Sequence, residues 1–450
     1  MSEIKIERCK KIQGCLTLPG DKSISHRVAL MSLLCQEKVV AVNYADGADC
    51  NHSLEAVRAL GAQVEKDNGT VQLTPPNRIA DPDGPIECGN SGTTMRLLAG
   101  LLAGAGVTAR LIGDDSLSQR PMKRIVDPLR QMNAAIDAGE HDIAPLNIAP
   151  GLLIPIDYTM PLASAQIKSS LLLAGLASGN AVTIREKNLT RDHTERMIAH
   201  FGGSIKVEDV KSRIVPDPDD PRKKKRVLDT EEYKRAIILN GGTALAGGTV
   251  EIPGDLSTAS YFIALALMVR NSHLIIKDVG LNPTRSAFLT ILKRMGANLI
   301  IKNRRELSGE PVGDIEISYA KLRSRKVSGD VVPNLIDEIP ILAVLAAQTE
   351  GTTIFRDASE LRVKETDRIR AVVANLSLMG VKVGELPDGF IIEGVEDLSG
   401  AELDSFGDHR IAMAFAVAGM AAHGKTVITN SEAVETSCPN FFTMLEGLRL

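Results

Sequence analysis

The sequence predicts an α/β protein built from two related halves. A helix-like run that ends in a Gly-Ala-type turn before a strand recurs six times, at 59–64, 131–136, 200–205, 294–299, 378–383 and, more weakly, 445–448. A longer motif, in which Pro-Gly-Asp links a strand to an apolar helix, occurs at 16–34 and again at 250–265. A generic alternating α/β enzyme would also contain several such turns. Three turns in each half, together with the doubled motif, favour one small α/β unit used six times.

The composition indicates a globular protein that recognises small ligands. The 450 residues are 44% apolar and only 3% aromatic, with no tryptophan and a net charge of −4. Such a chain has no general surface for nucleic acid, so an anion site must be a local cluster of cations. The six cysteines show neither zinc-ligand spacing nor a disulfide pattern, and the chain starts without an apolar signal segment. We expect reduced thiols, a cytoplasmic location, no metal and no membrane span.

The first candidate binding element is the turn at 18–27. Pro-Gly ends a strand, and Asp21 or the serine two residues later can cap the following helix, whose first N–H groups attract anions. Lys22 and Arg27 add full charges, which the second copy of the motif lacks because Leu256 replaces the lysine. An ordinary capped turn with solvated basic residues is the alternative. Since the turn is repeated and the charges are not, we interpret the turn as a structural element and the charges as groups that bind phosphate or carboxylate.

Further helix starts of the first half also carry polar and basic residues, at 87–96, 164–170 and 188–195. Between them, Arg120 precedes a proline and is held extended, which makes it a candidate ligand contact. Lys123 and Arg124, in the helix that follows, are expected to be solvated. His193 has no second ligand at helical spacing, so a metal site there is disfavoured. Together these starts predict one site for a polyoxygenated anion.

The second half brings carboxylates next to further cations, at 333–340, 362–368 and 405–413. Asp337 and Glu338 stand before an apolar helix, and we expect that ionised side chains at this position are not simple core residues. One half would therefore bind an anion, and the other would supply groups for acid–base catalysis. This division predicts a cleft that closes on two anionic substrates.

Five consecutive cations at 222–226 follow a Pro/Asp run between the halves. Such a basic run can be a nuclear-import or nucleic-acid patch. We favour an exposed hairpin or loop, because an acidic run precedes it and nothing else in the chain suggests a nucleic-acid partner.

Along its whole length the chain resembles the 5-enolpyruvylshikimate-3-phosphate synthases of the shikimate pathway. The motifs that carry the resemblance are Gly20-Asp-Lys-Ser, Gly89-Asn-Ser-Gly-Thr, Gln119-Arg-Pro, Ser164-Ala-Gln, Arg362-Val-Lys-Glu-Thr-Asp-Arg-Ile and Asp408-His-Arg-Ile-Ala-Met. The resemblance implies two domains, each of three βαβαββ units around a pseudo-threefold axis. The first would span residues 20–240 and the second residues 1–19 with 241–450, with hinges near 18–20 and 240–242.

The resemblance implies transfer of the enolpyruvyl group of phosphoenolpyruvate to the 5-hydroxyl of shikimate 3-phosphate, with release of phosphate and without metal or cofactor. Phosphoenolpyruvate would be held by Lys22, Arg120, Arg368 and Arg410, with Gly92 close by. Shikimate 3-phosphate would be held by Ser23, Arg27, Thr93, Ser164, Ala165, Gln166, Arg191 and Lys364. Asp337 would take the hydroxyl proton, while Glu365, with Lys22, would deliver or remove a proton at the pyruvyl methylene.

Two positions depart from the family pattern. Ala165 stands where many members have a second serine, and Thr436-Ser-Cys-Pro439 stands where many have Lys-Thr-Phe-Pro. Two other interpretations remain open. One is the related enolpyruvyl transferase that acts on UDP-N-acetylglucosamine, which normally has a loop cysteine in the region of 114–120. The other is a non-catalytic anion-binding or RNA-end-processing protein of similar architecture.

The resemblance also concerns glyphosate, which competes with phosphoenolpyruvate in this family. Short motifs of the tolerant class are present, such as Ser164-Ala-Gln-Ile-Lys168 and Arg191-Asp-His-Thr-Glu195. Gly92 is typical of sensitive members, whereas Leu97 replaces their usual proline. We expect a tolerant enzyme that acts as a monomer.

Overall fold

The computed structural model describes residues 2–216, 224–230 and 232–449. Up to residue 251 the strands are β1 (Glu3–Glu7), β2 (Gln13–Thr17), β3 (Val39–Val42), β4 (Gln63–Asp67), β5 (Thr70–Thr74), β6 (Ile86–Glu87), β7 (Ala109–Ile112), β8 (Ala135–Ala138), β9 (Leu146–Ala149), β10 (Ile156–Thr159), β11 (Val182–Glu186), β12 (Ile205–Asp209), β13 (Ser212–Pro216), β14 (Lys224–Leu228), β15 (Arg235–Leu239) and β16 (Gly248–Glu251). The helices in this part are α1 (Lys22–Ser32), α2 (Ala48–Ala59), α3 (Gly92–Ala105), α4 (Asp115–Ser118), α5 (Lys123–Gln131), α6 (Ala165–Ser178) and α7 (His193–His200).

After residue 251 the strands are β17 (His273–Gly280), β18 (Asn298–Leu307), β19 (Glu310–Ser318), β20 (Lys326–Val327), β21 (Thr352–Phe355), β22 (Lys382–Leu386), β23 (Gly389–Glu393), β24 (Glu402–Asp404) and β25 (Lys425–Thr429). The helices are α8 (Leu256–Met268), α9 (Ala287–Met295), α10 (Ile339–Ala346), α11 (Arg368–Leu378), α12 (His409–Ala421) and α13 (Phe441–Glu446).

Six small sheets share one strand pattern. In each, a parallel pair is extended by antiparallel strands, with the orders β16-β3-β5-β4, β6-β7-β9-β8, β10-β11-β15-β12, β2-β17-β19-β18, β20-β21-β23-β22 and β24-β25-β1. In four of these sheets a helix connects the two parallel strands, because parallel neighbours need a crossover; in the pairs β16-β3 and β2-β17 the two strands come from distant parts of the chain. The repeated small α/β unit predicted from the Gly-Ala turns is confirmed.

The chain passes between the two sets of sheets at both copies of the Pro-Gly-Asp motif. Strand β2 pairs with β17 and then leads into α1, whereas β16 pairs with β3 and then leads into α8. At the crossing, Gly20 bridges Gly254, and a Cβ at Gly20 would lie 1.8 Å from the backbone oxygen of Asn43. Only glycine fits this close backbone approach.

Two hydrophobic cores lie on either side of this crossing. One is formed by residues between 24 and 252, and the other by residues 6–18 with residues between 256 and 448. Helices α1, α3 and α6 run through the first core and α8, α10 and α12 through the second, and all eight residues of α10 are buried. Helices that are apolar on all sides are typical of such central positions.

Strands β13 and β14, which flank the basic run, pair as an antiparallel hairpin. Arg222 and Lys223 of that run lie outside the described residues. All six cysteines are free, and all but Cys15 are buried. Within the described part of the chain, no helix is both long and apolar enough to cross a bilayer.

Helices α3 and α6 approach each other closely at glycines. A Cβ at Gly100 would lie 2.0 Å from the backbone oxygen of Ser170, and one at Gly104 would lie 2.3 Å from that of Ala174. Because the obstacle is backbone, a side chain here cannot be accommodated by a rotamer change.

We therefore predict that Gly100→Ala lowers the free energy of unfolding by about 1–3 kcal/mol, the usual cost of overpacking a core. Gly384→Ala is the matched control, since a Cβ there meets nothing within 4 Å. Urea denaturation of the two variants measures the difference. Equal stability of Gly100→Ala and wild type would contradict the close packing of α3 on α6.

Candidate active site

Central helices of both halves begin around one cavity of about 190 Å³. Side-chain oxygens of Asp21, Ser91, Ser164 and Asp408 cap α1, α3, α6 and α12 by accepting from backbone N–H groups of the first turn. Residues at these starts, and before α10, line the cavity: Lys22, Ser23, Gly92, Thr93, Ser164, Ala165, Gln166, Asp337, His409 and Arg410. The positive ends of several helix dipoles therefore face one space.

The cavity is strongly cationic. Its lining cations are Lys22, Arg96, Arg120, Arg124, Arg191, Lys364, Arg368 and Arg410, and its lining carboxylates are Asp49, Asp337, Glu360 and Glu365. An excess of four positive groups thus lies inside a chain whose net charge is −4. Such a cavity is suited to small polyanions.

Asp337 lies between cations of both halves. Its carboxylate is 2.5 Å from Nη2 of Arg191 in the first half, and 3.6 Å from guanidinium nitrogens of both Arg368 and Arg410 in the second. Burial would raise the pKa of this carboxyl, but Arg410, Arg191, Lys364 and Arg368 hold it well below its usual range. Asp337 is therefore an ionised carboxylate, able to accept a proton.

Glu365 has a similar environment. One carboxylate oxygen lies 3.5 Å from Nη1 of Arg120 across the cavity, and the other lies 2.5 Å from Nη2 of Arg368. Burial acts to raise the pKa of Glu365, and Arg368 and Arg120 outweigh it, so that the pKa lies well below the usual range. Anions that drew these two arginines away would let the pKa rise, because the lowering depends on their charge.

Lys22 and the polar residues near α3 and α6 form the opposite wall. Nζ of Lys22 lies 2.5 Å from a carboxylate oxygen of Asp49. Gln166 donates to Oγ1 of Thr93 at 3.1 Å and accepts from Arg96 at 2.7 Å. These contacts hold the hydroxyl, amide and ammonium groups in fixed positions along the wall.

Three sequence-based expectations differ from the structure. Arg27 does not line the cavity: its guanidinium donates to Oγ1 of Thr194 at 2.7 Å, and to Ser169 and the Ser23 carbonyl, both at 2.9 Å. Glu338 is fully buried away from the cavity and accepts from the Ser257 hydroxyl.

Arg124, expected to be solvated, lines the cavity and lies 3.6 Å from Glu360 of the other half. Lys123 is solvated as expected, with 64% of its side chain exposed. The two neighbours differ because successive helical residues point in directions about 100° apart. His193 contacts Glu310 of the second half at 2.7 Å.

Sequence reasoning missed several lining residues, among them His26, Asp49, Arg96, Glu360 and His409. Helical spacing from Lys22 and Gly92 could have suggested His26 and Arg96. The local sequence around Asp49 contains no pattern that predicts its place in the cavity wall. Residues 436–439, where the sequence departs from the family pattern, do not line the cavity, and the backbone oxygen of Thr436 packs against Gly47, where a Cβ would lie 2.7 Å from it. Among the residues described, no cluster of three or more His, Cys, Asp or Glu could hold a metal ion.

Comparison of the coordinates with solved structures defines the class of protein. The enolpyruvyl transferase NikO from Streptomyces tendae has the same fold, with a TM-score of 0.73 at 17% identity over 99% of this chain and 96% of that one. EPSP synthase from Acinetobacter baumannii has a TM-score of 0.83 at 36% identity, covering 100% of this chain and 98% of the other. The predicted two-domain enolpyruvyl transferase fold is confirmed.

The sequence comparisons are more specific. The family model for EPSP synthase (3-phosphoshikimate 1-carboxyvinyltransferase) matches residues 6–229 and 222–445. Proteins named 3-phosphoshikimate 1-carboxyvinyltransferase are similar over the full chain. The protein from Carboxydothermus hydrogenoformans is 45% identical over 99% of both chains, and that from Citrifermentans bemidjiense is 42% identical over 100% of this chain and 99% of its own. The chain belongs to the EPSP synthase family.

The depressed pKa of Asp337 links stability to pH. Its pKa lies below the value of about 3.9 expected in the unfolded chain. This stabilisation is therefore present above about pH 4 and is lost as the pH falls through the folded-state pKa. We predict that Asp337→Asn unfolds more easily at pH 7, by about 1.5–3 kcal/mol, the worth of a hydrogen bond to a charged group.

The difference from wild type should shrink as the pH falls below about 4. Denaturation at several pH values measures it, and substitution of the exposed Asp83 by Asn is the control. A difference that stays constant from pH 7 to pH 2 would contradict the depressed pKa.

Proposed function

We propose that this protein transfers the enolpyruvyl group of phosphoenolpyruvate to the 5-hydroxyl of shikimate 3-phosphate and releases phosphate, a step of aromatic amino acid biosynthesis. The observation that carries the proposal is a cationic cavity in which two ionised carboxylates, Asp337 and Glu365, each face arginines of the opposite half. Two substrates that together carry two phosphates and two carboxylates would supply the negative charge that this cavity lacks. Family membership supports the same reaction.

Each substrate has its own set of side chains. For phosphoenolpyruvate these are Lys22, Arg120, Arg368 and Arg410, beside Gly92. For shikimate 3-phosphate they are Ser23, Thr93, Ser164, Ala165, Gln166, Arg191 and Lys364, all of which line the cavity. Arg27 acts indirectly, because it donates to the backbone of Ser23. Guanidinium groups are suited to this role, since their paired N–H groups match phosphate and carboxylate oxygens.

The proton transfers follow from the charge states. Asp337, which is ionised, takes the proton of the 5-hydroxyl group while the oxygen of that hydroxyl attacks the enol carbon. Glu365 gains a proton more readily once substrate anions occupy Arg120 and Arg368, and delivers it with Lys22 to the methylene carbon. Return of a methyl proton to this pair, with loss of phosphate, then restores the enol double bond. All three proton transfers occur beside fixed cations that stabilise the anions throughout.

We also propose two domains that close over the substrates. Residues 1–19 belong with the second domain, since β1 and β2 pair with β25 and β17. The resemblance implied a second boundary near 240–242; we propose it at 252–255, because β16 at Gly248–Glu251 pairs with β3. The ion pairs between Arg191 and Asp337 and between Arg120 and Glu365 join the domains across the cleft, and substrate anions would replace them.

One chain supplies the whole cavity, so we propose a monomer. The free, mostly buried cysteines suit a reducing compartment, and we propose the cytoplasm.

Phosphate release tests the reaction directly. The purified protein should release phosphate only when phosphoenolpyruvate and shikimate 3-phosphate are both present. Reactions lacking either substrate are the controls, and UDP-N-acetylglucosamine should not replace shikimate 3-phosphate. Absence of phosphate release with both substrates would refute the proposed function.

The roles of the carboxylates predict a selective loss of rate. Asp337→Ala and Glu365→Ala should each lower kcat by roughly 10²–10⁴-fold, the usual contribution of general acid–base catalysis, with smaller changes in substrate binding. The control is Glu338→Gln, which keeps an acceptor for Ser257 and lies outside the cavity. Steady-state kinetics measure all three variants. A larger loss from Glu338→Gln would place the catalytic carboxylate one residue further on.

We further propose that the enzyme is glyphosate-tolerant, on the tolerant-class motifs. A Cβ at Gly92 would lie 2.8 Å from Nη1 of Arg96 and 3.6 Å from Nη1 of Arg120. A methyl group there would narrow the space beside the phosphoenolpyruvate cations, and it would crowd a longer inhibitor more than the substrate.

Gly92→Ala should therefore weaken glyphosate inhibition further, while Gly384→Ala leaves it unchanged. Inhibition of the purified enzyme at fixed phosphoenolpyruvate measures both. Inhibition of wild type at glyphosate concentrations far below the KM for phosphoenolpyruvate would contradict tolerance.

A further inference from the structure

A buried ion cluster lies behind the wall of the cavity, outside the groups assigned to the reaction. Lys168, on the second turn of α6, is fully buried, and its Nζ lies 3.0 Å from Glu186 and 2.7 Å from Glu195. Both carboxylates are buried as well. Burial lowers the pKa of Lys168, but Glu195 and Glu186 outweigh it and raise that pKa, so the lysine is charged. Buried charges are costly, and apolar residues of similar volume would often stabilise a protein equally well.

The cluster is connected to the cavity through Glu186. The carboxylate oxygen that accepts from Lys168 also accepts from the backbone N–H of Thr190 at 3.2 Å and from its hydroxyl. Thr190 and Arg191 follow β11 in an irregular segment and line the cavity. An ionised acceptor makes stronger hydrogen bonds than a neutral one. The carboxylate held by Lys168 therefore fixes the segment that carries Arg191.

The same lysine belongs to the helix whose start presents Ser164 and Gln166 to the cavity, four and two residues earlier. Its neighbour Ser169 accepts from Arg27 of α1 at 2.9 Å. Lys168 thus joins the start of α6 to the segment at 187–191, and both carry side chains of the proposed shikimate 3-phosphate site.

We propose that Lys168 is a positioning residue for shikimate 3-phosphate: through Glu186 it sets Thr190 and Arg191 relative to the start of α6. This inference rests on the proposed function. It predicts an effect on one substrate only, because the side chains proposed for phosphoenolpyruvate, Lys22, Arg120, Arg368 and Arg410, belong to other segments.

Lys168→Met keeps the length of the side chain and removes its charge. We expect the KM for shikimate 3-phosphate to rise about tenfold or more, as for loss of a hydrogen bond between charged groups. The KM for phosphoenolpyruvate should stay within about twofold of wild type. Calorimetric titration with shikimate 3-phosphate should show the same weakening without turnover. The matched control is Ser170→Ala, on the same helix, whose buried hydroxyl has no hydrogen-bond partner in the described structure.

Glu186→Gln provides a second test that leaves no uncompensated carboxylate at that position. This variant retains an acceptor for Thr190 but loses the ion pair with Lys168, so its KM for shikimate 3-phosphate should rise. The double variant with Lys168→Met should have a KM for shikimate 3-phosphate no higher than that of Lys168→Met alone. If Lys168→Met does not fold, the Glu186→Gln result decides.

Two results would overturn the inference. One is an active wild type whose variants lose thermal stability but keep the KM for shikimate 3-phosphate, which indicates a structural role only. The other is an equal rise in the KM of both substrates, which indicates general damage. An inactive wild type would instead contradict the proposed function itself, and with it this inference.

Discussion

Attraction between arginines of one half and carboxylates of the other is the interaction on which the site depends. Arg191 contacts Asp337 and Arg120 contacts Glu365, so each proposed catalytic carboxylate has its charge state set partly by the half to which it does not belong. Separating the halves would remove those cations and leave burial and the local arginines to fix the pKa values. The domain closure proposed above would therefore also set the charge states of the two proposed acid–base groups.

So many charged side chains can lie close together only because the fold holds them in place at the starts of its helices. The capping side chains Asp21, Ser91, Ser164 and Asp408 satisfy first-turn N–H groups and leave neighbouring polar residues facing the cavity. The helices behind these starts are largely buried, which makes each start a rigid support. Rigid placement matters here, since the stabilisation of substrate anions depends on cations that do not have to move.

The sequence predicted the repeated unit because each unit ends in a local signal, a helix followed by a Gly-Ala turn. It also predicted some of the lining residues that carry a charge at a helix start, such as Lys22 and Arg410. It could not predict Asp49, whose partner Lys22 lies on another helix, or the inward direction of Arg124, which depends on Glu360 of the other half. The burial of Glu338 was not predicted, because adjacent carboxylates look alike in sequence. Only the packing of α8 against α10 shows which of the two is buried. The pairing of β16 with β3, on which the proposed boundary beyond residue 251 depends, is a long-range contact that the local sequence does not show.

The repeated Pro-Gly-Asp motif has a structural role at the place where the chain crosses between the two halves. Asp21 and Asp255 occupy equivalent positions in the two copies, and both pair with the buried guanidinium of Arg285, at 2.9 Å in the case of Asp255. Asp255 also accepts from the backbone N–H of Lys22 at 3.0 Å. The repeated aspartates thus join the two chain crossings and fix the start of α1, whereas the unrepeated Lys22 turns its ammonium group towards the cavity. The aspartate shared by the two copies holds the halves together, and the difference between the copies supplies the charge proposed to act on substrate.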